Sequence, residues 1–163
     1  MKTAFASLSL FVLALAGVAG ADTKPAPAPT AAARGAATLA AIEKELGFVP
    51  GFFKAVPPSL LPAMWDAGGS FENSPDTKLD GKTKQLIALA VAAQVPCDYC
   101  SYYHSEAARM YGATEQELQE AVAMAASVRQ GSTILHGMQV DRAQFRRDVD
   151  RLFKAMRQAS KKK

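Results

Sequence analysis

Between Gly81 and Met110 the chain spells two helices with a forced break between them, and that break constrains the fold more than any other feature. Leu86, Ile87, Leu89, Ala90, Val91 and Ala92 leave the first stretch, Gly81 to Ala93, apolar on most sides, which is the pattern of a buried helix. Gln94-Val95-Pro96 then interrupts it, because proline breaks a helix from its interior but is well placed in a first turn. The second helix carries Cys97, Cys100 and His104, runs to Met110 and stops at Gly112. A connection this short folds the second helix back along the first. An antiparallel helical hairpin is therefore predicted at the centre of the molecule.

The rest of the chain also reads as helix. Leu39, Ile42 and Leu46 make a short helical stripe that begins near Thr38 and ends at Gly47. Phe48, Val49, Phe52 and Phe53, with Pro50 and Gly51, form an aromatic turn that plugs the core. Pro57 and Pro58 open a helix carrying Leu60, Leu61, Met64 and Trp65, a candidate subunit interface, with Gly68 and Gly69 at its end. Ser74 to Asp80 is turn-like. Thr114 and Glu117 have capping-box spacing and start a helix through Leu118, Val122, Ala125 and Val128, with an interruption expected at Gly131. Phe145, Val149, Leu152 and Phe153 give the last helix, Arg142 to Met156, its apolar side. No alternating strand pattern and no hairpin dipeptide occurs, so one all-α domain over residues 38–158 is predicted.

Both ends fall outside that domain. Lys2, the apolar run Leu8 to Val18 and the small residues Ala19-Gly20-Ala21 have the order of a cleavable secretory signal over residues 1–21, with processing between Ala21 and Asp22. The run is too short to span a bilayer, so the mature chain is expected to be periplasmic or secreted, with no membrane attachment. Residues 22–37, with Pro25, Pro27 and Pro29, read as a Pro/Ala linker, and 159–163 as a basic tail. Removing 21 residues from 163 leaves 142, enough for one domain, and loss of Lys2 takes the net charge from +4 to +3. Much of the positive charge lies on the last helix, which reads as the solvated side of an amphipathic helix rather than as a nucleic-acid surface. Nucleic acid is not an expected partner.

The chemistry concentrates in Cys97-Asp98-Tyr99-Cys100-Ser101-Tyr102-Tyr103-His104, which holds both cysteines and one of the two histidines. Spacings of three and four put two sulfurs and an imidazole on one helical face. The helix N-terminus beside Cys97 and the imidazole one turn from Cys100 each favour a thiolate, the reactive form of the thiol. A sulfur that attacks a peroxide or a disulfide can then be attacked by the other, closing a Cys97–Cys100 disulfide. So short a loop constrains the unfolded chain little, which makes stability a poor reason for the bond. Within the hairpin Gln85 lies about 12 Å before the break and His104 about 10.5 Å beyond it, so the two side chains are neighbours. A buried glutamine needs a partner, and His104 is the natural one; the alternative places Gln85 in solvent beside Lys82 and Lys84. The candidate catalytic residues are Cys97, Cys100, His104 and Gln85.

Other uses of the cluster compete with this one. A structural disulfide with a core histidine remains open, as does a zinc site with His136 as fourth ligand. Zinc is disfavoured because there is no second cysteine pair and an oxidising compartment competes for the thiols. Covalent haem wants histidine directly after the second cysteine, where Ser101 stands. No metal and no cofactor are expected. Tyr99, Tyr102 and Tyr103 are expected to line or cover the site, and His136 to be structural or exposed.

Gln85 to Ala93, Cys97-Asp98-Tyr99-Cys100, His104, Ala107, Ala108 and Gly112-Ala113-Thr114 with Glu117 resemble the alkyl hydroperoxidase D-like, or carboxymuconolactone decarboxylase, family. The likeness covers roughly Leu79 to Ala126, and Leu46-Gly47-Phe48-Val49-Pro50 and Pro58 to Trp65 look like the upstream region. The resemblance implies an all-helical, homo-oligomeric protein in which Cys100 is oxidised to a sulfenic acid, Cys97 resolves it or donates a proton, and His104 completes a proton relay. The family's relay glutamate would stand at position 85, where this chain has Gln85. The decarboxylase branch lacks the cysteine pair. The expected function is thus an exported thiol oxidoreductase that reduces hydroperoxides at the expense of an unidentified thiol reductant. Thiol–disulfide exchange on a disulfide substrate, or a non-catalytic scaffold with a structural disulfide, are the alternatives.

Overall fold

The computed structural model describes residues 28–161, and within them the fold is all-α. The signal segment 1–21, residues 22–27 of the Pro/Ala segment and the last two lysines lie outside the described residues. Helix α1 (Ala31–Leu46) starts earlier than the predicted Thr38, so residues 31–37 are helix rather than linker. Alanine is the strongest helix former, and the Thr30 hydroxyl caps the new start by accepting the Ala33 N–H at 3.2 Å. Gly35 then lies buried against Pro58, where a Cβ would come within 2.7 Å of the proline Cβ and 2.8 Å of its Cα. The close approach of the two segments needs a glycine.

After α1 come α2 (Gly51–Lys54) and α3 (Leu61–Ala67), which with α1 enclose the first hydrophobic cluster. Ile42, Phe53 and Leu61 are buried there, and Trp65 meets Phe53 edge-on with ring centroids 5.5 Å apart. Leu61 and Trp65 therefore belong to the inner core rather than to a subunit interface, while Leu60 and Met64 stay exposed. Helix α3 opens at Leu61 and not at the prolines, because the Pro57 carbonyl is used in a turn that accepts the N–H groups of Leu60 and Leu61. It continues into a π-helical turn, Gly68–Glu72, closed by the Asn73 N–H on the Gly68 carbonyl at 2.9 Å.

Helix α4 (Gly81–Gln94), capped by Asp80, packs against both α5 (Asp98–Met110) and α6 (Glu115–Gly137). Leu89, Ala108 and Leu118 are the buried centre of this second cluster. The α4–α5 pair is the antiparallel hairpin, and Gln94 at its bend is tied to α6. Its amide donates to the Ala125 carbonyl at 2.6 Å and accepts from Arg129 Nε at 2.7 Å. The Thr114–Glu117 capping box forms in full at the start of α6. Gly131 does not interrupt α6: a single glycine costs a helix only about 1 kcal/mol relative to alanine. Helix α7 (Arg142–Ser160) runs on past Met156, so the basic tail begins only at Lys161. No helix among the described residues is long and apolar enough to cross a membrane.

Candidate active site

Helix α5 begins at the thiol pair. Cys97 occupies the N-cap position in extended backbone, and its sulfur accepts the Cys100 N–H at 3.2 Å. The two sulfurs are joined as a disulfide. Both residues are half-buried, so the bond lies at the edge of the fold and within reach of a solute. Four residues on from Cys100, His104 is half-buried on the same face.

From the facing helix, Gln85 reaches His104 directly. Its side chain is 1 % exposed, and its Oε1 lies 2.7 Å from His104 Nδ1. An amide oxygen can only accept, so Nδ1 carries the proton and the lone pair of neutral His104 is on Nε2. Burial pulls the imidazole below its ordinary pKa of 6.5, with the Glu72 carboxylate acting in the opposite direction. His104 is thus a neutral base near pH 7, oriented by a neutral partner.

The structure brings Gln85 and His104 into contact and leaves Cys97, Cys100 and His104 on one side of α5. Lys84 is buried, not solvent-facing beside Gln85: its Nζ donates to the carbonyls of Phe71 and Ser74, each at 2.8 Å. The tyrosines do not form a cover. Tyr99 and Tyr102 are 89 % and 74 % exposed, and only Tyr103 touches the site, edge-on to His104 with ring centroids 5.1 Å apart. His136 is exposed near the C-terminal end of α6. Among the described residues no three His, Cys, Asp or Glu side chains gather as a metal site would require. Sequence reasoning missed Asn73, whose Oδ1 is 3.5 Å from Gln85 Nε2 and 3.4 Å from the Tyr111 hydroxyl. Asn73 sits in a loop that returns across the first turns of α4, a contact with no periodic signature.

A model of the carboxymuconolactone decarboxylase family matches residues 60–143, more than half of the 163-residue chain. The chain belongs to that family. Within it the matched region begins at α3 and includes the whole hairpin, α6 and the start of α7. The core of alkylhydroperoxidase AhpD from Rhodospirillum rubrum is similar in structure, with a TM-score of 0.57 and 29% identity over 69% of this chain and 86% of that one. Uncharacterized protein 4 in the cox locus of Paracoccus denitrificans is 44% identical over 61 residues, 37% of this chain. The chain spans 55% of that relative's length. At the level of the family, the likeness is to peroxidase-related oxidoreductases.

Proposed function

We propose that the protein is an exported thiol peroxidase that reduces organic hydroperoxides through Cys100 and Cys97. In the reduced enzyme His104 Nε2 takes the Cys100 thiol proton. The Cys100 thiolate attacks the outer peroxide oxygen, the O–O bond breaks, and the alkoxide leaves with the proton held by His104 as an alcohol. Cys100 is then a sulfenic acid, and the Cys97 sulfur displaces its oxygen as water, closing the disulfide. A dithiol reductant returns the pair to thiols by exchange, taking up the two oxidising equivalents as its own disulfide. The observation that carries this reading is a disulfide at the start of α5 on the same helical face as a histidine oriented by a 2.7 Å contact from a buried glutamine. A disulfide kept only for stability needs no such neighbour.

The test starts from fully reduced protein and one equivalent of an organic hydroperoxide. Peroxide loss well above that of a free thiol, with matching formation of the Cys97–Cys100 disulfide by mass, is the expected result. Loss no faster than that of a free thiol would remove the peroxidase reading and leave disulfide exchange or a structural bond, which the reduction potential separates.

Self-association belongs to the same proposal. Ile87, Val91 and Val95 along α4 and its end are 49 %, 55 % and 62 % exposed, and Phe145, Leu152, Phe153 and Met156 on α7 are also uncovered. Apolar faces of this extent are what a second copy of the chain would bury. Light scattering at micromolar concentration should give a mass of two or more chains, and a clean monomer would contradict it.

A further inference from the structure

Helix α4 presents His104 with an amide and no charge, so the imidazolium formed when Cys100 ionises has no counter-ion from α4. The segment running from the π-helical turn into the next loop is fastened against this place by several contacts. Lys84 Nζ holds the carbonyls of Phe71 and Ser74 on either side of Glu72 and Asn73. Asn73 donates from Nδ2 to the Gly68 carbonyl at 3.2 Å. A carbonyl can only accept, so that bond orients the whole Asn73 amide, with Oδ1 facing the donors Gln85 Nε2 and the Tyr111 hydroxyl. With its nitrogen so engaged, Gln85 turns its oxygen to His104. A chain of fixed polarity runs from the Gly68 carbonyl through Asn73 and Gln85 to His104 Nδ1.

We propose that the segment Gly68–Asn73 completes the thiol site: Asn73 is the positioning residue that fixes the Gln85 amide and through it the His104 tautomer, and Glu72 supplies the counter-charge for the imidazolium. The role given to Glu72 in peroxide reduction rests on the peroxidase reading; the hydrogen-bond chain does not. Glu72 is half-buried beside Asn73, and its carboxylate raises the proton affinity of His104 against the effect of burial. The three ion pairs among the described residues, Lys82–Glu117, Arg109–Glu106 and Arg109–Glu115, leave it out. His104 is in contact with Gln85 of α4 and Tyr103 of α5, and Cys100 stands one turn before it on α5. Lys84, the nearby cation of α4, is committed to Phe71 and Ser74. Glu72 is placed by the fastened segment, between the Phe71 and Ser74 carbonyls that Lys84 holds and next to Asn73.

Two variants test the proposal in the reduced, full-length protein: Glu72→Gln, and Asn73→Ala. Ring-nitrogen NMR of His104 reads both tautomer and titration without reference to turnover. In the parent protein the neutral ring should be the Nδ1–H form. Asn73→Ala should give a mixture of tautomers, because the Gln85 amide is freed to turn over. Glu72→Gln should lower the imidazolium population about threefold at a fixed pH above the midpoint, the effect of removing one partly screened charge. Glu72→Asp should restore most of it. Peroxide consumption by Glu72→Gln should fall by the same factor near neutral pH, and the deficit should close at alkaline pH, where Cys100 ionises without help. A His104 titration and tautomer unchanged in both folded variants would overturn the proposal. Shifts in the NMR signals in a protein that consumes no peroxide would uphold the relay and sink the peroxidase reading instead.

Discussion

Cys100→Ser should bring peroxide consumption down to the background of buffer and stray thiol, a loss of more than about 10²-fold, because the oxygen of serine is not a nucleophile at neutral pH and the remaining thiol, Cys97, sits at the N-cap of α5, one turn farther from His104. Cys97→Ser should behave differently. Its Cys100 can still attack one peroxide, so a single burst is expected, followed by arrest as a sulfenic acid one oxygen heavier than the reduced protein. That asymmetry is the discriminating result. Equal loss in both variants, with no burst in Cys97→Ser, would mean that Cys97 is required for the first chemical step. A burst in Cys100→Ser and none in Cys97→Ser would assign attack to Cys97. The structure distinguishes the two sulfurs, since the Cys97 sulfur caps α5 and accepts the Cys100 N–H. A thiolate at an N-cap is stabilised by the helix terminus, which makes Cys97 a good leaving group when the disulfide is reduced. With Cys97 as the leaving group, the reductant attacks the Cys100 sulfur, the same atom that carries the oxygen in the peroxide half of the cycle.

The hairpin and the Gln85–His104 contact were both legible because they depend on quantities that a linear chain displays. Helical rise fixes how far each residue lies from the break at Gln94-Val95-Pro96, and a polar residue in an apolar helix announces its need for a partner. The start of α1 was not legible in the same way. Ala31 to Ala37 carries no apolar stripe, and its neighbours Pro25, Pro27 and Pro29 gave it the composition of a linker; only the packing of Gly35 on Pro58 explains why this stretch is held as helix. The role of Trp65 was misread for a related reason. A large apolar residue on a short helix can face a partner or its own core, and which it does depends on Phe53, brought in by the preceding turn. Asn73, Glu72 and Lys84 belong to a third class. They act across a loop whose path is set by backbone carbonyls, and no spacing rule connects Asn73 with Gln85 or Lys84 with Phe71.

Gln85→Glu should raise the neutral-pH rate of peroxide reduction by about tenfold, because a carboxylate against Nδ1 favours the protonated ring, and should reverse the sign of a pH dependence in stability. In the parent protein the folded-state pKa of His104 lies below the ordinary 6.5 because burial disfavours its charged form. The unfolded chain therefore takes up the proton first as pH falls. This contribution to stability is fully present above pH 6.5 and is lost as pH drops through 6.5 toward the folded value. A glutamate at position 85 would be almost completely buried, and it would share one proton with His104 whichever of the two carries it. The folded pair then holds a proton that the unfolded chain gives up near 6.5, so its contribution is present at lower pH and lost as pH rises. Between about pH 5.5 and 7.5, unfolding free energies from urea titration should rise with pH in the parent relative to the variant. Few other perturbed groups interfere in that window. Asp80, Glu115 and Glu117 are all held below ordinary carboxylate values by their hydrogen bonds, while Lys82 and Arg109 are raised further above the basic range by theirs. Parallel stability curves for the two proteins, together with superimposable pH–rate profiles, would show that position 85 does not exchange charge with His104. The amide would then serve only to orient the ring, and the proton taken from Cys100 would have to be balanced from Glu72 alone.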